Sequence, residues 1–304
     1  MEDTLSGKMY RLFLVLMLAV FAFPAAGAIA VAQDASPEAA GPSLLAGFGL
    51  PTLEVTVTAD GIDAPTEIAA GPVLLVATND TEGFSTVDLV QFPEGVTVDD
   101  YTALSDNDDG LLPEWTADAV VAGYAEVPPM ATGSIVLNLA PGEWTIVADA
   151  EPDIAAPTAP LTVTGEAPAE VAIAADLDLE MGEYAFNFPD TVAAGPQIWH
   201  VTNVHTVPHH AIVFPVDRLY TADEVHDGFM AGFSGTPVAD GFSIETSIVG
   251  PPVSVPVITG GQEIWIEADL APGFYVAVCF VADPGADVPH FMQGMIDSFE
   301  VTDN

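Results

Sequence analysis

The feature that most constrains the fold is a repeat of domain length. Ala69-Ala-Gly-Pro72 leads through a strand-like run to Thr78-Asn79, and Ala193-Ala-Gly-Pro196 leads through a run of equal length to Thr202-Asn203. Phe92-Pro93 is answered by Phe214-Pro215, and Ala140-Pro-Gly-Glu-Trp144 by Ala271-Pro-Gly-Phe-Tyr275. Thr97-Val-Asp-Asp100 and Thr221-Ala-Asp-Glu224 both read as helix N-caps with an acidic residue in the first turn. A spacing this long duplicates a whole domain rather than a solenoid unit.

Between these landmarks the chain runs in short segments bounded by Gly and Pro. Leu53-Glu-Val-Thr-Val-Thr58 and Glu263-Ile-Trp-Ile-Glu267 are examples, rich in β-branched and aromatic residues. This predicts an all-β protein of two tandem Greek-key β-sandwiches, with short helices in the inter-strand loops. The two copies are expected over residues 51–165 and 166–304. Residues 33–50, rich in Ala, Pro, Gly and Ser, read as a flexible linker.

Residues 1–32 stand apart from the fold. Lys8 and Arg11 precede an apolar run from Leu12 to Phe23, and Ala30-Val31-Ala32 offers a small-residue cleavage site before Gln33. This is the pattern of a Sec-type signal peptide, interrupted by Pro24 and short for a membrane span. The expected product is a secreted or periplasmic chain with no membrane span after cleavage near Ala32-Gln33. Cleavage would leave Arg218 as the sole Lys or Arg, and the net charge would stay at −42. Such a surface repels nucleic acid and anionic membranes. Salt, low pH or a basic partner would relieve its self-repulsion.

The two copies differ in their chemistry. All six histidines and the single cysteine fall in the second. Where it has Cys279 the first has Ala148, and where it has His209-His210 the first has Ser85-Thr86. The first copy is thus expected to keep the scaffold without metal ligands. An unpaired thiol is a liability in an oxidising compartment unless something holds it. Downstream of Cys279 lie His290, Met292 and Met295. Thiolate, imidazole and thioether make the soft ligand set of a type 1 copper site.

Three motifs in order sharpen this. They are Asn203-Val-His-Thr-Val-Pro208-His209-His210, then Gly273-Phe-Tyr275-Val-Ala-Val-Cys279, then His290-Phe-Met-Gln-Gly294-Met295. With them, roughly the second copy resembles the cupredoxins, the blue copper proteins of plastocyanin and azurin type. The first copy is then a cupredoxin-like repeat without ligands. The resemblance implies one type 1 copper held by His209, Cys279, His290 and Met295. Its Pro-His register selects His209 over His210, which becomes a partly exposed neighbour, and Gly-Met selects Met295 over Met292. Ten residues, Phe280 to Pro289, separate Cys279 from His290, a longer loop than simple cupredoxins have.

The expected function is one-electron transfer with a redox partner protein. The alternatives are copper storage or delivery outside the cytoplasm, with a copper donor or acceptor, and a structural surface protein. An electron carrier or copper-binding protein is expected rather than an enzyme. The chain has no His-x-His pairs for a trinuclear copper centre, and the histidine-free first copy cannot build a second copper site. GxSxG, Walker and HExxH motifs do not occur. Ser105-Asp-Asn-Asp-Asp-Gly110 misses the EF-hand spacing and reads as an acidic turn rather than a calcium loop. His205 lies close enough to His209 for a second metal contact. His200 is expected to pack between sheet and loop, and His226 to be solvated on a short helix.

Overall fold

The structure is a computed structural model that describes residues 43–103, 112–148, 156–167, 172–236, 241–286 and 288–303. The expected signal segment, most of the expected linker and the expected acidic turn Ser105–Gly110 lie outside the described residues.

Among the described residues, eighteen strands fall into two sets of nine. The first set is β1 (Thr52–Thr58), β2 (Gly61–Asp63), β3 (Glu67–Ala69), β4 (Gly71–Asn79), β5 (Ser85–Gln91), β6 (Val120–Val127), β7 (Thr132–Leu139), β8 (Gly142–Ala148) and β9 (Thr158–Thr164). The second is β10 (Leu177–Gly182), β11 (Ala185–Phe186), β12 (Thr191–Ala193), β13 (Gly195–Asn203), β14 (His209–Val216), β15 (Val253–Ile258), β16 (Glu263–Leu270), β17 (Gly273–Val278) and β18 (Ile296–Thr302). The protein is all-β in class, with short helices in its loops.

One five-stranded sheet has the order β3-β9-β8-β5-β6 and the other β12-β18-β17-β14-β15, the same order shifted by nine. The remaining eight strands form one sheet, β11-β10-β13-β16-β7-β4-β1-β2. Its order reads the same from both ends once the shift is applied, so the halves meet about a pseudo-two-fold axis at β7 and β16. There Trp265 pairs with Val136 and Ile264 with Leu137. On the other layer Thr259 N–H donates to Val121 O at 3.1 Å, and Val121 N–H to the Thr259 hydroxyl at 3.1 Å. Sharing a sheet removes two edges that would otherwise present unpaired backbone.

The core follows from strand alternation. Leu53, Val55 and Val57 of β1 point inward while their neighbours face outward. One continuous core joins the inner faces of all three sheets and runs through both halves. β14 departs from alternation and is buried along nearly its whole length. Its second face is covered by the helix α2 (Ala222–Ser234), whose Val225 and Phe229 pack on Ile212, Phe214 and Val216. Both expected caps are present: Thr97 and Glu-bearing Thr221-Ala-Asp-Glu224 close reciprocal capping boxes on α1 (Val98–Thr102) and α2. The described end of the expected linker is structured. Leu45–Phe48 forms a 3-10 turn, and Leu45 fills an apolar patch made by Leu74, Val136, Ile198 and Trp265 on the outer face of the large sheet. No helix among the described residues is long and apolar enough to cross a membrane.

Candidate metal centre

The turn before β14 is fixed by a buried asparagine. Asn203 donates through Nδ2 to Ile258 O at 2.9 Å and Val207 O at 2.8 Å, and accepts the His205 N–H on Oδ1 at 3.0 Å. Asn79 does the same in the first half, to Val127 O and Gly83 O. The Asn therefore belongs to the scaffold that both halves share. Chain direction after this turn sends His209 into the layer between the sheets and His210 to the opposite face.

Cys279 follows the last residue of β17. The β14–β17 register pairs Ile212 with Val278, so Cys279 comes opposite Ala211, as Ala148 comes opposite Val87 in the first half. The chain then leaves the sheet and is fastened back. His290 N–H donates to Val281 O at 2.8 Å, Phe291 N–H to Cys279 O at 2.8 Å, Met295 N–H to His290 O at 3.0 Å, and Cys279 N–H to Met295 O at 3.2 Å. A 3-10 turn, His290–Gln293, carries the second histidine. Gly294 at φ +102° then reverses the chain into Met295.

These elements bring three side chains together. His209 Nδ1 lies 2.9 Å from His290 Nδ1 and 3.9 Å from Cys279 Sγ, and His290 Nδ1 lies 3.4 Å from the same sulfur. Among the described residues this is the group whose ligand atoms converge, and all three side chains are fully buried. Met295 is also fully buried, in the same core cluster as Cys279. Met292 packs instead, half-buried, against the aromatic cluster under α2. His210 is buried rather than partly exposed. Its Nε2 accepts the Phe280 N–H at 2.8 Å, which ties the residue after Cys279 to β14.

The far nitrogen of each converging imidazole is held by a different partner. His290 Nε2 lies 3.0 Å from Asp283 Oδ1, and the Tyr184 hydroxyl donates to Asp283 Oδ2 at 2.7 Å. His209 Nε2 lies 3.1 Å from His205 Nδ1. An N–H directed at Asp283 leaves a lone pair on His290 Nδ1, facing the sulfur. Asp283 comes from the ten-residue loop, so that loop supplies a supporting carboxylate. His205 contacts His209 rather than the sulfur.

Burial sets the protonation states. It pushes the Cys279 thiol up to about 12, against the pull of hydrogen bonds from the His210 and Val281 backbone. It pushes His209 down to about 3, helped by the neighbouring His290 and His205. His290 is lowered by burial as well, with Asp283 opposing. Part-burial raises Asp283, but hydrogen bonds from Tyr184 and His290 outweigh it and hold the carboxyl below its usual range.

The geometry suits one metal ion. Usual distances of about 2.0 Å to imidazole and about 2.3 Å to thiolate, at trigonal angles, place nitrogen and sulfur about 3.7 Å apart and the two nitrogens about 3.5 Å apart. The observed nitrogen–sulfur distances bracket the first value, and the imidazoles need part by only about half an ångström.

The other histidines lie elsewhere. His200 stands on the outer face of the large sheet, stacked on Trp265 at 4.5 Å and flanked by Asp178 and Glu263, rather than between sheet and loop. His226 is part-exposed on α2 beside Asp227.

No known family's sequence profile matches the chain, and no curated protein matches it. Among solved structures, dithionite-reduced auracyanin from Roseiflexus castenholzii is similar at 18% identity and a TM-score of 0.27, covering 41% of this chain and 95% of that one. Auracyanin A of Chloroflexus aurantiacus, a "blue" copper protein, is similar at 18% identity and a TM-score of 0.25, covering 41% and 98%. Fet3p, a multicopper oxidase that functions in iron import, is similar at 9% identity and a TM-score of 0.22, covering 83% and 65%. What the site itself offers is two imidazole nitrogens and one thiol, converging in a fully buried position.

Proposed function

We propose that this chain is an exported copper protein that passes single electrons through one type 1 site. His209, His290, Cys279 and Met295 are the residues that would hold the ion, through two imidazoles, a thiolate and a thioether. The observation that carries the reading is the convergence of His209 Nδ1, His290 Nδ1 and Cys279 Sγ in a fully buried position. Copper would supply a one-electron couple there. The protein's part is to keep the ligands still. His209 begins a central strand, Cys279 ends another, and four backbone hydrogen bonds fasten the segment carrying His290 and Met295. Ligands held this way move little between oxidation states, which favours fast transfer.

The first half would serve as a structural or docking module, since Ala148 and Ser85 stand where ligands would be. A redox protein outside the cytoplasm would be the partner. Voltammetry with a Cu(I)-chelator competition tests the reading. The expected result is a reversible one-electron couple and slow loss of Cu(I). An irreversible couple with rapid Cu(I) release would point instead to copper delivery. Failure to take up copper stoichiometrically would leave the domains structural.

A further inference from the structure

We propose that electrons enter and leave this site at His205, along the His209–His205 pair, and not at the edge of His290. The inference rests on the electron-carrier reading above. Both converging imidazoles are fully buried, so neither presents an edge to a partner. Each instead turns its second nitrogen toward a neighbour, and the two neighbours differ in kind.

On the His290 side the neighbour is a carboxylate. Asp283 accepts from His290 Nε2 at 3.0 Å and from the Tyr184 hydroxyl at 2.7 Å, while the Tyr184 ring stands 5.0 Å from the His290 ring. A partner approaching there must strip water from a held negative charge, on a protein already at −42. On the His209 side the neighbour is a second imidazole. His205 Nδ1 sits 3.1 Å from His209 Nε2, and the two rings are nearly parallel, 16° apart with centroids at 5.3 Å. Asn203 Oδ1 holds the His205 backbone N–H at 3.0 Å. His205 is only half-buried, next to Val204, which is 58% exposed. The hydrogen-bonded imidazole pair therefore spans from the buried ligand set to a part-exposed ring, which meets Tyr184 at 5.7 Å and lies beside the exposed Val204.

In the step, the site passes from Cu(I) to Cu(II) as a one-electron acceptor gains that electron. No bond forms or breaks, and no proton moves.

The test compares wild type with His205→Ala and Val288→Ala, the latter an exposed position beside His290. Stopped-flow oxidation of the Cu(I) protein by tris(phenanthroline)cobalt(III) is followed through the visible band of the Cu(II) product. His205→Ala should slow oxidation about tenfold, the low end for loss of an outer partner of a metal-ligating histidine. Its band should be unchanged, and Val288→Ala should match wild type. If His205→Ala loses the band, His205→Asn keeps an acceptor near His209 and replaces it in the comparison. Independently of any copper activity, ¹⁵N NMR of the metal-free protein should show coupling across the His205 Nδ1–His209 Nε2 hydrogen bond. Absence of that coupling, or an unchanged rate in a His205 variant with an intact band, overturns the inference alone. A wild type that binds copper without the band overturns the electron-carrier reading, and this inference with it.

Discussion

Cys279 has its chemistry set by its surroundings. A thiol pushed up to about 12 by burial is protonated at every ordinary pH, whereas His209, pushed down to about 3, is neutral there, and His290, lowered by burial, is neutral above the ordinary imidazole value. A metal ion entering the cluster therefore displaces the Cys279 proton and none from the imidazoles. Copper affinity should rise about tenfold per pH unit between about pH 7 and about pH 9, with one proton released per ion. Isothermal titrations in buffers of different ionisation enthalpy measure this; a pH-independent affinity would mean that Cys279 is not a ligand. The converging residues were legible because their types are rare in this chain and their order is distinctive. Asp283 was not, because one carboxylate among 45 acidic residues carries no signal. Tyr184 was not, because it meets Asp283 across 99 positions of sequence. His205 left one hint, its place four residues before His209.

Among the elements, α2 and the loop after β17 do most to shape the site. The helix seals the outer face of β14, and it approaches so closely that Gly228 has no room for a side chain. A Cβ there would sit 2.2 Å from Phe242 O and 2.6 Å from its ring. Gly228→Ala should destabilise by about 1–3 kcal/mol, as overpacking does, despite alanine's better helix propensity. Urea denaturation measures this, and a stabilised variant would contradict the packing. The helix start is set by Glu224, whose carboxyl is held down to about 2 by the Arg218 guanidinium and by the Thr221 backbone N–H and hydroxyl. A depressed carboxylate stabilises fully above its ordinary value of 4.5 and loses that contribution as pH falls toward 2. The stability gap between wild type and Glu224→Gln should therefore be present at pH 6 and close on acidification through that window. The caps were readable from Thr-x-x-Asp and Thr-x-x-Glu. The burial of both faces of β14 was harder to read, because a continuous apolar run fits several covered elements.

At the scale of the whole molecule, the repeat was legible and its fusion was not. Val136, Leu137, Ile264 and Trp265 are ordinary strand residues in sequence, and only the structure shows that they join two halves into one eight-stranded sheet. The described part of the expected linker was misread for a related reason. Its Gly and Ser suggested flexibility, but Leu45 has an apolar patch to fill. The fused molecule carries −42 with three Lys and Arg residues in the entire sequence, so its charges mainly repel. Raising ionic strength from about 0.01 M to about 1 M shortens the screening length from about 30 Å to about 3 Å. Tm should climb steadily over that range in one cooperative transition, because the core is continuous between halves. A Tm insensitive to salt, or two separate transitions, would contradict this.

His209, His290 and Cys279 would together hold a copper ion through a thiolate. The most direct measurement is the visible and EPR spectrum of the Cu(II)-loaded protein beside Cys279→Ser. The wild type should show an intense visible charge-transfer band at one copper per chain, and the serine variant should lose it. A wild type that binds copper and stays colourless would contradict this.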